Sequence, residues 1–326
     1  MKKSLLALAV LGAFAGAASA QSSVTLYGRV DLSIGKGPGS SAKNMVNGSG
    51  SRVGLRGVED LGGGLSALFN IEHRYNADTG AMSDPARMWG GRSIVGLQGG
   101  FGQVVLGREY TTAFLQSQLT ADPWGWDTVV SGTQGNGLNN TITGGGVARV
   151  RNDSSLTYRL SMSGFTFGAQ IAEATDAINN FQNKPVNFAI SYAGGPFTFG
   201  LGYERTGQEI VDNATWMTVN GAYNFGAFKL GGLFGRGDSA DGDRRQSWLL
   251  SATAPIGAGE FRASYGVLKN KTDNVNLAKG FALGYHYSLS KRTTLYADVM
   301  QNKHHPVTGA ALDSKTGYDF GIKHNF

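Results

Sequence analysis

From Ser23 to its last residue the chain repeats one pattern. Short runs in which apolar or small residues alternate with polar ones are separated by Gly, Asn, Asp and Ser. Val24, Leu26, Gly28, Val30 and Leu32 alternate with Thr25, Tyr27, Arg29 and Asp31. Phe197, Phe199, Leu201 and Tyr203 alternate with Thr198, Gly200, Gly202 and Glu204, and Phe281, Leu283, Tyr285 and Tyr287 with Ala282, Gly284, His286 and Ser288. A period of two sets one side of a strand against an apolar phase and the other against water. About sixteen such segments can be placed, centred near Gly28, Leu55, Phe69, Val95, Val105, Tyr158, Phe167, Ile190, Leu201, Val219, Leu230, Leu250, Tyr265, Tyr285, Ala297 and Phe320. An even number of antiparallel strands brings both ends to one side and lets the sheet close. The predicted fold is therefore all-β, a sixteen-stranded antiparallel transmembrane β-barrel.

The joints support closure. Short Gly-rich turns at 59–64, 161–164, 193–196 and 255–259 alternate with longer polar linkers such as 174–184 and 302–315. Short turns on one side and long loops on the other are the arrangement of outer-membrane barrels. One connection, about 108–147, is far longer and shows little alternation. A connection of that length is normally functional, and in a barrel it can fold inward and narrow the lumen.

The first twenty residues follow a different rule. Lys2 and Lys3 precede an almost wholly apolar run from Leu5 to Ala18, and Ala18-Ser19-Ala20 forms a small-residue cleavage site before Gln21. This is the pattern of a secretory signal peptide. A single anchor helix fits less well, because the run is shorter than the ~20 residues of a bilayer span and lacks aromatic or charged anchors. The expected organisation is thus a signal peptide at 1–20 and one barrel domain at 21–326. No later stretch approaches a transmembrane helix. Cysteine is absent although an exported chain could use disulfides, so the fold is held some other way, and a fully closed sheet is one such way. Glycine is abundant, at 50 residues, without a three-residue period, and proline is scarce, at 7. The net charge of +6 falls to about +4 without Lys2 and Lys3. An exported chain meets no nucleic acid, and its Lys and Arg are scattered along strands, so the surplus is read as a field inside a pore.

Several segments together resemble the trimeric general porins of Gram-negative bacteria, in their β-proteobacterial branch. Ser23-Val24-Thr25-Leu26-Tyr27-Gly28-Arg29-Val30-Asp31 is similar to the first strand of that family. The run from Ser51 to Gly64 resembles its second strand and turn, Gly99 to Arg108 its fifth strand, and Arg151 to Tyr158 its sixth. Tyr318 to Phe326 resembles its closing strand. The resemblance covers the chain after the signal and implies sixteen strands, a homotrimer and an inward-folded third external loop. It implies passive diffusion of small polar solutes and ions, no catalysis and no cofactor. It further implies that Phe326, with Tyr318, Phe320 and Ile322 on the same face, is recognised by the outer-membrane assembly machinery. Lipid and lipopolysaccharide are the expected surroundings.

With apolar positions outward, Arg29, Arg52, Arg56, Arg74, Arg92, Arg159 and Arg262 fall on the inward face, and Arg108 and Arg151 flank the long loop. Guanidinium stays charged at any relevant pH, and a ladder of such groups would favour anions as charged rings do in other channels. The basic wall of a constriction is assigned to Arg29, Arg56, Arg74, Arg92 and Arg151. Arg56, Arg92 and Arg151 lead, because they lie near the loop where the resembled family places its basic cluster. The plainer alternative is that each is neutralised by an inward acid such as Asp31 or Glu72. Glu109, Asp122 and Asp127, with Asp153, are assigned to the loop region opposite. Phe114, Trp124 and Trp126 are read as packing against the wall.

Other signals are set aside. Gly145-Gly146 and Gly62-Gly63-Gly64 do not lead a strand into a helix, so no phosphate loop is indicated. His304-His305 is read as a solvated pair and not a metal site, and no Ser, His and acid set is arranged for acyl transfer. The alternatives kept are a channel selective for organic acids or sugars, an exported soluble β-sandwich binding protein, and an enzyme built on the barrel.

Overall fold

The computed structural model describes residues 23–132, 136–173, 184–206 and 214–326. The signal segment with its cleavage site, and nearly all of the 174–184 linker, lie outside the described residues. In chain order the strands are β1 (Ser23–Lys36), β2 (Asn44–Asn47), β3 (Ser51–Gly62), β4 (Leu65–Tyr75), β5 (Arg92–Gly99) and β6 (Gly102–Tyr110). After the long connection come β7 (Arg151–Met162), β8 (Phe165–Ala172), β9 (Val186–Gly194), β10 (Phe197–Arg205) and β11 (Thr215–Asn224). The remainder are β12 (Lys229–Asp238), β13 (Arg244–Ile256), β14 (Gly259–Asn270), β15 (Val275–Ser288), β16 (Thr293–Asn302) and β17 (Thr316–Asn325).

All belong to one sheet with antiparallel pairing. β2 and β3 both pair with β1, at Leu32↔Asn47 and Arg29↔Arg52, so they are two pieces of one stave broken at 48–50. The barrel therefore has sixteen staves. It closes where β1 meets β17, from Arg29↔Asn325 to Lys36↔Tyr318. Gly28 and Phe326 exchange backbone hydrogen bonds of 3.0 and 3.1 Å at the seam. A Cβ on Gly28 would lie 2.3 Å from the Phe326 ring, so glycine lets that ring cover the seam. All sixteen positions expected at strand centres lie in strands. The one strand absent from that expectation is β2, four residues long.

Closure is what lets a sheet cross a bilayer, since every ladder donor and acceptor finds a partner. The side chains are distributed as a membrane requires. Val24, Phe320 and Leu250 are 68, 61 and 60 % exposed, whereas Asp31 and Asp319 are fully buried. Apolar groups outside and charged groups inside invert the order of a soluble domain. Among the described residues no helix is long and apolar enough to span a membrane.

Aromatic residues mark both edges of the outer apolar band. At the short-turn end, Phe165 packs on Tyr192 (4.7 Å), Phe197 on Tyr223 (4.7 Å) and Phe225 on Phe228 (4.8 Å). At the other end Phe188 stacks on Tyr203 (5.2 Å) and Trp248 packs on Tyr265 (5.4 Å). Such belts sit at the two membrane–water interfaces. The turn between β7 and β8 shows how the short joints are made. Ser163 and Gly164 have φ of 50° and 83°, the pair of positive values a two-residue hairpin needs to match strand twist.

The long connection spans 111–150 and enters the lumen. It contains helical turns at Phe114–Gln118, Leu119–Ala121, Val129–Ser131 and Asn139–Thr143. Its entry is possible because the wall beneath it is bare: a Cβ on Gly200 would come 2.4 Å from the Gln116 carbonyl. Beyond that point the loop finds an apolar bed. Val129, Val130, Leu138 and Ile142 pack with Trp216, Leu233, Leu249, Leu268, Leu277 and Met300, which face inward from β11–β16. Each such side chain contributes about 1.5–3 kcal/mol on full burial, so a short apolar segment suffices to hold the loop in place.

Candidate functional site

The loop leaves open one side of the lumen, and that side is lined by arginine. Strand register alone produces the first row: Arg29 on β1 pairs with Arg52 on β3, which pairs with Arg74 on β4. One row nearer the short turns lie Tyr27, Gly54, Glu72 and Arg92, and in the next Thr25, Arg56, Asn70 and Ile94. Like charges directly opposite one another destabilise a sheet, so a three-strand row of guanidinium groups is retained against the interests of the fold. Gly54 has a local reason: a Cβ there would meet the Tyr27 ring at 2.6 Å. Tyr27 thus lies across the wall, and its hydroxyl donates to Asn70 (2.8 Å) and Glu72 (3.1 Å).

Arg151, at the start of β7, completes the group through Tyr110. The Tyr110 hydroxyl accepts from Arg74 at 2.7 Å and from Arg151. The guanidinium carbons of Arg151 and Arg92 stand 4.1 and 5.1 Å from its ring centre, distances at which the ring face attracts a cation. One phenol therefore spaces three arginines. Arg56 stands similarly at 5.2 Å from the Tyr27 ring.

Arg29, Arg52, Arg56, Arg74, Arg92 and Arg151 line a single cavity of about 630 Å³, closed opposite by Phe114, Leu115, Leu119, Trp126 and Asp127 of the loop. The five wall arginines assigned from sequence are all there, together with Arg52. Two carboxylates share the cavity. Glu72 accepts from Arg74 at 2.7 Å on the wall, and Asp127 accepts from Arg29 at 3.1 Å across the lumen. Burial pushes the Asp127 carboxyl above the usual carboxylate range, with the Arg29 charge opposing that rise.

The acids assigned to the loop divide into three cases. Asp127 faces the arginines as expected. Glu109 belongs instead to β6, where it is 1 % exposed and joins Arg92 (2.9 Å) to Arg159 (3.5 Å). It is a wall residue because β6 continues to Tyr110 before the chain turns inward. Asp122 is in the loop but does not line the cavity. Its Oδ1 accepts from the Trp124 amide (3.0 Å) and Asn139 (2.8 Å), and its Oδ2 from the Trp126 amide (2.9 Å) and the Ser131 hydroxyl (2.5 Å). Burial raises its carboxyl as well. These bonds hold a turn in which Trp126 and Thr128 have φ of 61° and 64°, a costly conformation for such side chains. Asp122 therefore positions Asp127. Asp153 lies in β7, ion-paired with Arg87 and Arg108 away from the cavity. Arg262 pairs with Glu260 near a short turn.

Asp31 is not the partner of any wall arginine. It accepts from Ser49 (2.6 Å) and Tyr296 (2.6 Å). Trp124 is buried and its indole donates to Asp298 at 2.7 Å, while Trp126 packs edge-on against Phe114 at 4.8 Å, so both tryptophans serve packing. His286 contacts the same Asp298 at 3.1 Å and stacks on Tyr296. Among the described residues no group of His, Cys, Asp and Glu could hold a metal ion. Tyr110 is the residue that sequence reading missed. Counting by twos from the exposed Leu106 puts it on the lipid side, but β6 and β7 shift register between Gly107 and Glu109.

A closed barrel with a lipid-facing exterior, a loop-narrowed lumen and charge lining the gap defines a diffusion channel of the outer membrane, since sixteen staves leave an aqueous path. The chain belongs to the Gram-negative porin family, whose model matches residues 7–305. It is 33 % identical to outer membrane porin protein 32 of Delftia acidovorans and 31 % identical to an outer membrane porin protein of Bordetella pertussis, with 100 % of each chain covered. Among solved structures, the anion-selective porin from Comamonas acidovorans superposes with a TM-score of 0.74 at 27 % identity, covering 94 % of this chain and 100 % of that one. The protein is thus a porin located in the outer membrane, and its family and fold are those of channels, which removes the soluble β-sandwich alternative.

Proposed function

We propose that this porin selects for small anions, and that Arg29, Arg52, Arg56, Arg74, Arg92 and Arg151 form its selectivity wall. The observation that carries this reading is the cavity lining: six guanidinium groups against two carboxylates, Glu72 and Asp127. The field points from the wall toward Asp127, so a solute with an anionic or strongly dipolar end is drawn to one side of the gap. The anion-selective neighbour supports the sign. Glu109 and Asp122 act indirectly, by spacing Arg92 and by holding the loop turn.

The same reading makes the protein a homotrimer set among outer-membrane lipid and lipopolysaccharide, with residues 1–20 removed on export. Tyr318, Phe320, Ile322 and Phe326, outward on the closing strand, carry the signal to the assembly machinery.

Reversal potential in a planar bilayer under a potassium chloride gradient tests the selectivity. A potential favouring chloride is expected. One favouring potassium would overturn the arginine wall while leaving the porin intact. Saturable block of conductance by an organic acid or sugar at low concentration would instead indicate a substrate-selective channel.

A further inference from the structure

Toward the short-turn end, the arginine wall runs into a second hollow of the lumen, of about 260 Å³. Beyond the row of Thr25, Arg56, Asn70 and Ile94 comes a row of Ser23, Val58, Leu68 and Gly96. Val58 and Leu68 share the parity of Arg56 and Asn70 along their strands, so they face the lumen and not the lipid. Together with Ile94 they line the hollow. Val58 is 41 % exposed, whereas the inward apolar residues of β11–β16 are sealed beneath the loop. Among the described residues none from 111–150 lines the hollow, so this apolar patch meets the water of the pore.

The charge above the patch is open as well. Arg56 and Arg92 line both the hollow and the constriction cavity, and Arg159 joins them from β7. Among the described residues the one carboxylate in the lining is Glu109. Its oxygens accept from Arg92 at 2.9 Å and from Arg159 at 3.5 Å. Arg56 makes no ion pair among the described residues and rests against the Tyr27 ring. Its charge is therefore available to a solute. Arg56 and Val58 are successive inward residues of β3, about 7 Å apart along the strand, close to the length of a benzoate ion. The volume lies just below the roughly 300 Å³ at which pockets for drug-sized ligands begin, room for one ring and its carboxylate.

We propose that this hollow is a resting site for monocarboxylates carrying one apolar ring, the carboxylate on Arg56 and the ring on Val58, Leu68 and Ile94. This deepens the anion reading of the pore and rests on it. Because Arg56 and Arg92 belong to both cavities, a carboxylate passes from the constriction to the hollow without leaving guanidinium contact. Chloride and acetate use only the charged upper half. A ring also covers the exposed apolar patch, which removes apolar surface of both solute and wall from water. The hollow stays open toward the lumen, so the site slows a solute and does not trap it.

The test is conductance of the detergent-folded protein in planar bilayers at neutral pH, in dilute potassium chloride titrated with benzoate, acetate or uncharged benzamide. Benzoate should lower conductance with a half-effect on the order of 10 mM, too weak to saturate in dilute solute. Acetate should need at least tenfold more, the difference that burying about two methylene equivalents supplies, and benzamide should have no effect. Val58→Ser/Leu68→Ser should bring benzoate to the level of acetate while the potassium chloride reversal potential stays unchanged. Arg56→Gln should weaken benzoate and acetate alike. The reversal potential, read in the same bilayers, reports the arginine wall alone, so failure of the anion reading and failure of the resting site are separate results. Equal effects of benzoate and acetate on wild type would overturn the site, as would a benzoate preference that survives Val58→Ser/Leu68→Ser. Benzamide acting as strongly as benzoate would remove the carboxylate from recognition and overturn it too. If the double variant does not fold, Val58→Thr, which keeps the shape and adds a hydroxyl, should still reduce the preference about threefold. An unchanged preference in that variant decides against the proposal.

Discussion

The inner wall of this barrel has two halves that obey opposite rules. On β1–β7 the inward positions facing the gap are arginines spaced by Tyr27, Tyr110 and Glu72. On β11–β16, toward the long-loop end, they include Trp216, Leu233, Leu249, Leu268 and Met300, sealed beneath the loop. Both are "inside", yet one meets the diffusing solute and the other meets protein. The difference shows that alternation fixes a side of the sheet and not an environment. Whether an inward residue is wet depends on where the loop lies, and the loop lies where the apolar half of the wall accepts it.

The sharpest way to break the contrast is to spoil the apolar half. Trp216→Ala removes a fully buried side chain whose indole also donates to the Thr143 carbonyl at 2.8 Å. A loss of about 3–5 kcal/mol is expected, visible as a lower melting temperature, with larger and noisier single-channel conductance as the loop loosens. An unchanged conductance would mean that the hydrogen bonds of Trp124 to Asp298 and of the Val129 amide to Asp319 hold the loop alone.

Changes on the arginine half should leave stability nearly intact and move selectivity. A unit charge about 6 Å from the ion path contributes about 0.7 kcal/mol at the dielectric of water. Because the same charge attracts chloride and repels potassium, Arg52→Ser and Arg56→Ser should each lower the chloride-to-potassium permeability ratio about tenfold, and together by up to about a hundredfold. Reversal potentials of the two single variants and the double check both the size and the additivity.

A smaller effect comes from Asp127, where the halves meet. Its carboxyl is raised by burial, so it takes up a proton at a higher pH than a free carboxylate. As pH falls through that raised range the constriction loses a negative charge and the preference for anions grows. The linked stability has the same direction, because a raised carboxyl costs the folded state when ionised and ceases to do so on protonation. Asp127→Asn should flatten this pH dependence of the reversal potential. Tyr110→Phe is expected to do least. It keeps the ring that attracts Arg92 and Arg151 but loses the hydroxyl that both Arg74 and Arg151 donate to. Conductance should change by less than twofold, whereas Tyr110→Ala should also release the about 0.5–1 kcal/mol of each ring contact.

Much of the site was legible in the chain. Arg29, Arg56, Arg74 and Arg92 follow from counting by twos along strands with apolar outer faces, because a one-residue slip would turn every side chain over. The count failed where regular pairing ends. Tyr110 follows a register shift, and Glu109 reads as loop because polar residues at the end of β6 carry no apolar alternation to mark the strand. Asp122 and Asp127 lie five residues apart in the same loop and look equivalent, yet one is an internal clasp and the other faces the arginines.

What the sequence determined by itself was the barrel: a period of two repeated about sixteen times, glycine at the tight turns and a closing strand ending in Phe326. These are local signals, each set by the backbone geometry of a few residues and by the solvent on either side. What only the tertiary structure decided was the pore. The row Arg29–Arg52–Arg74 joins three strands, the Asp127–Arg29 pair spans 98 residues, and the apolar bed under the loop gathers residues from Trp124 to Met300. Such groupings depend on register, closure and the path of one long loop. Those are fixed by contacts between residues distant in the chain, and no local period records them.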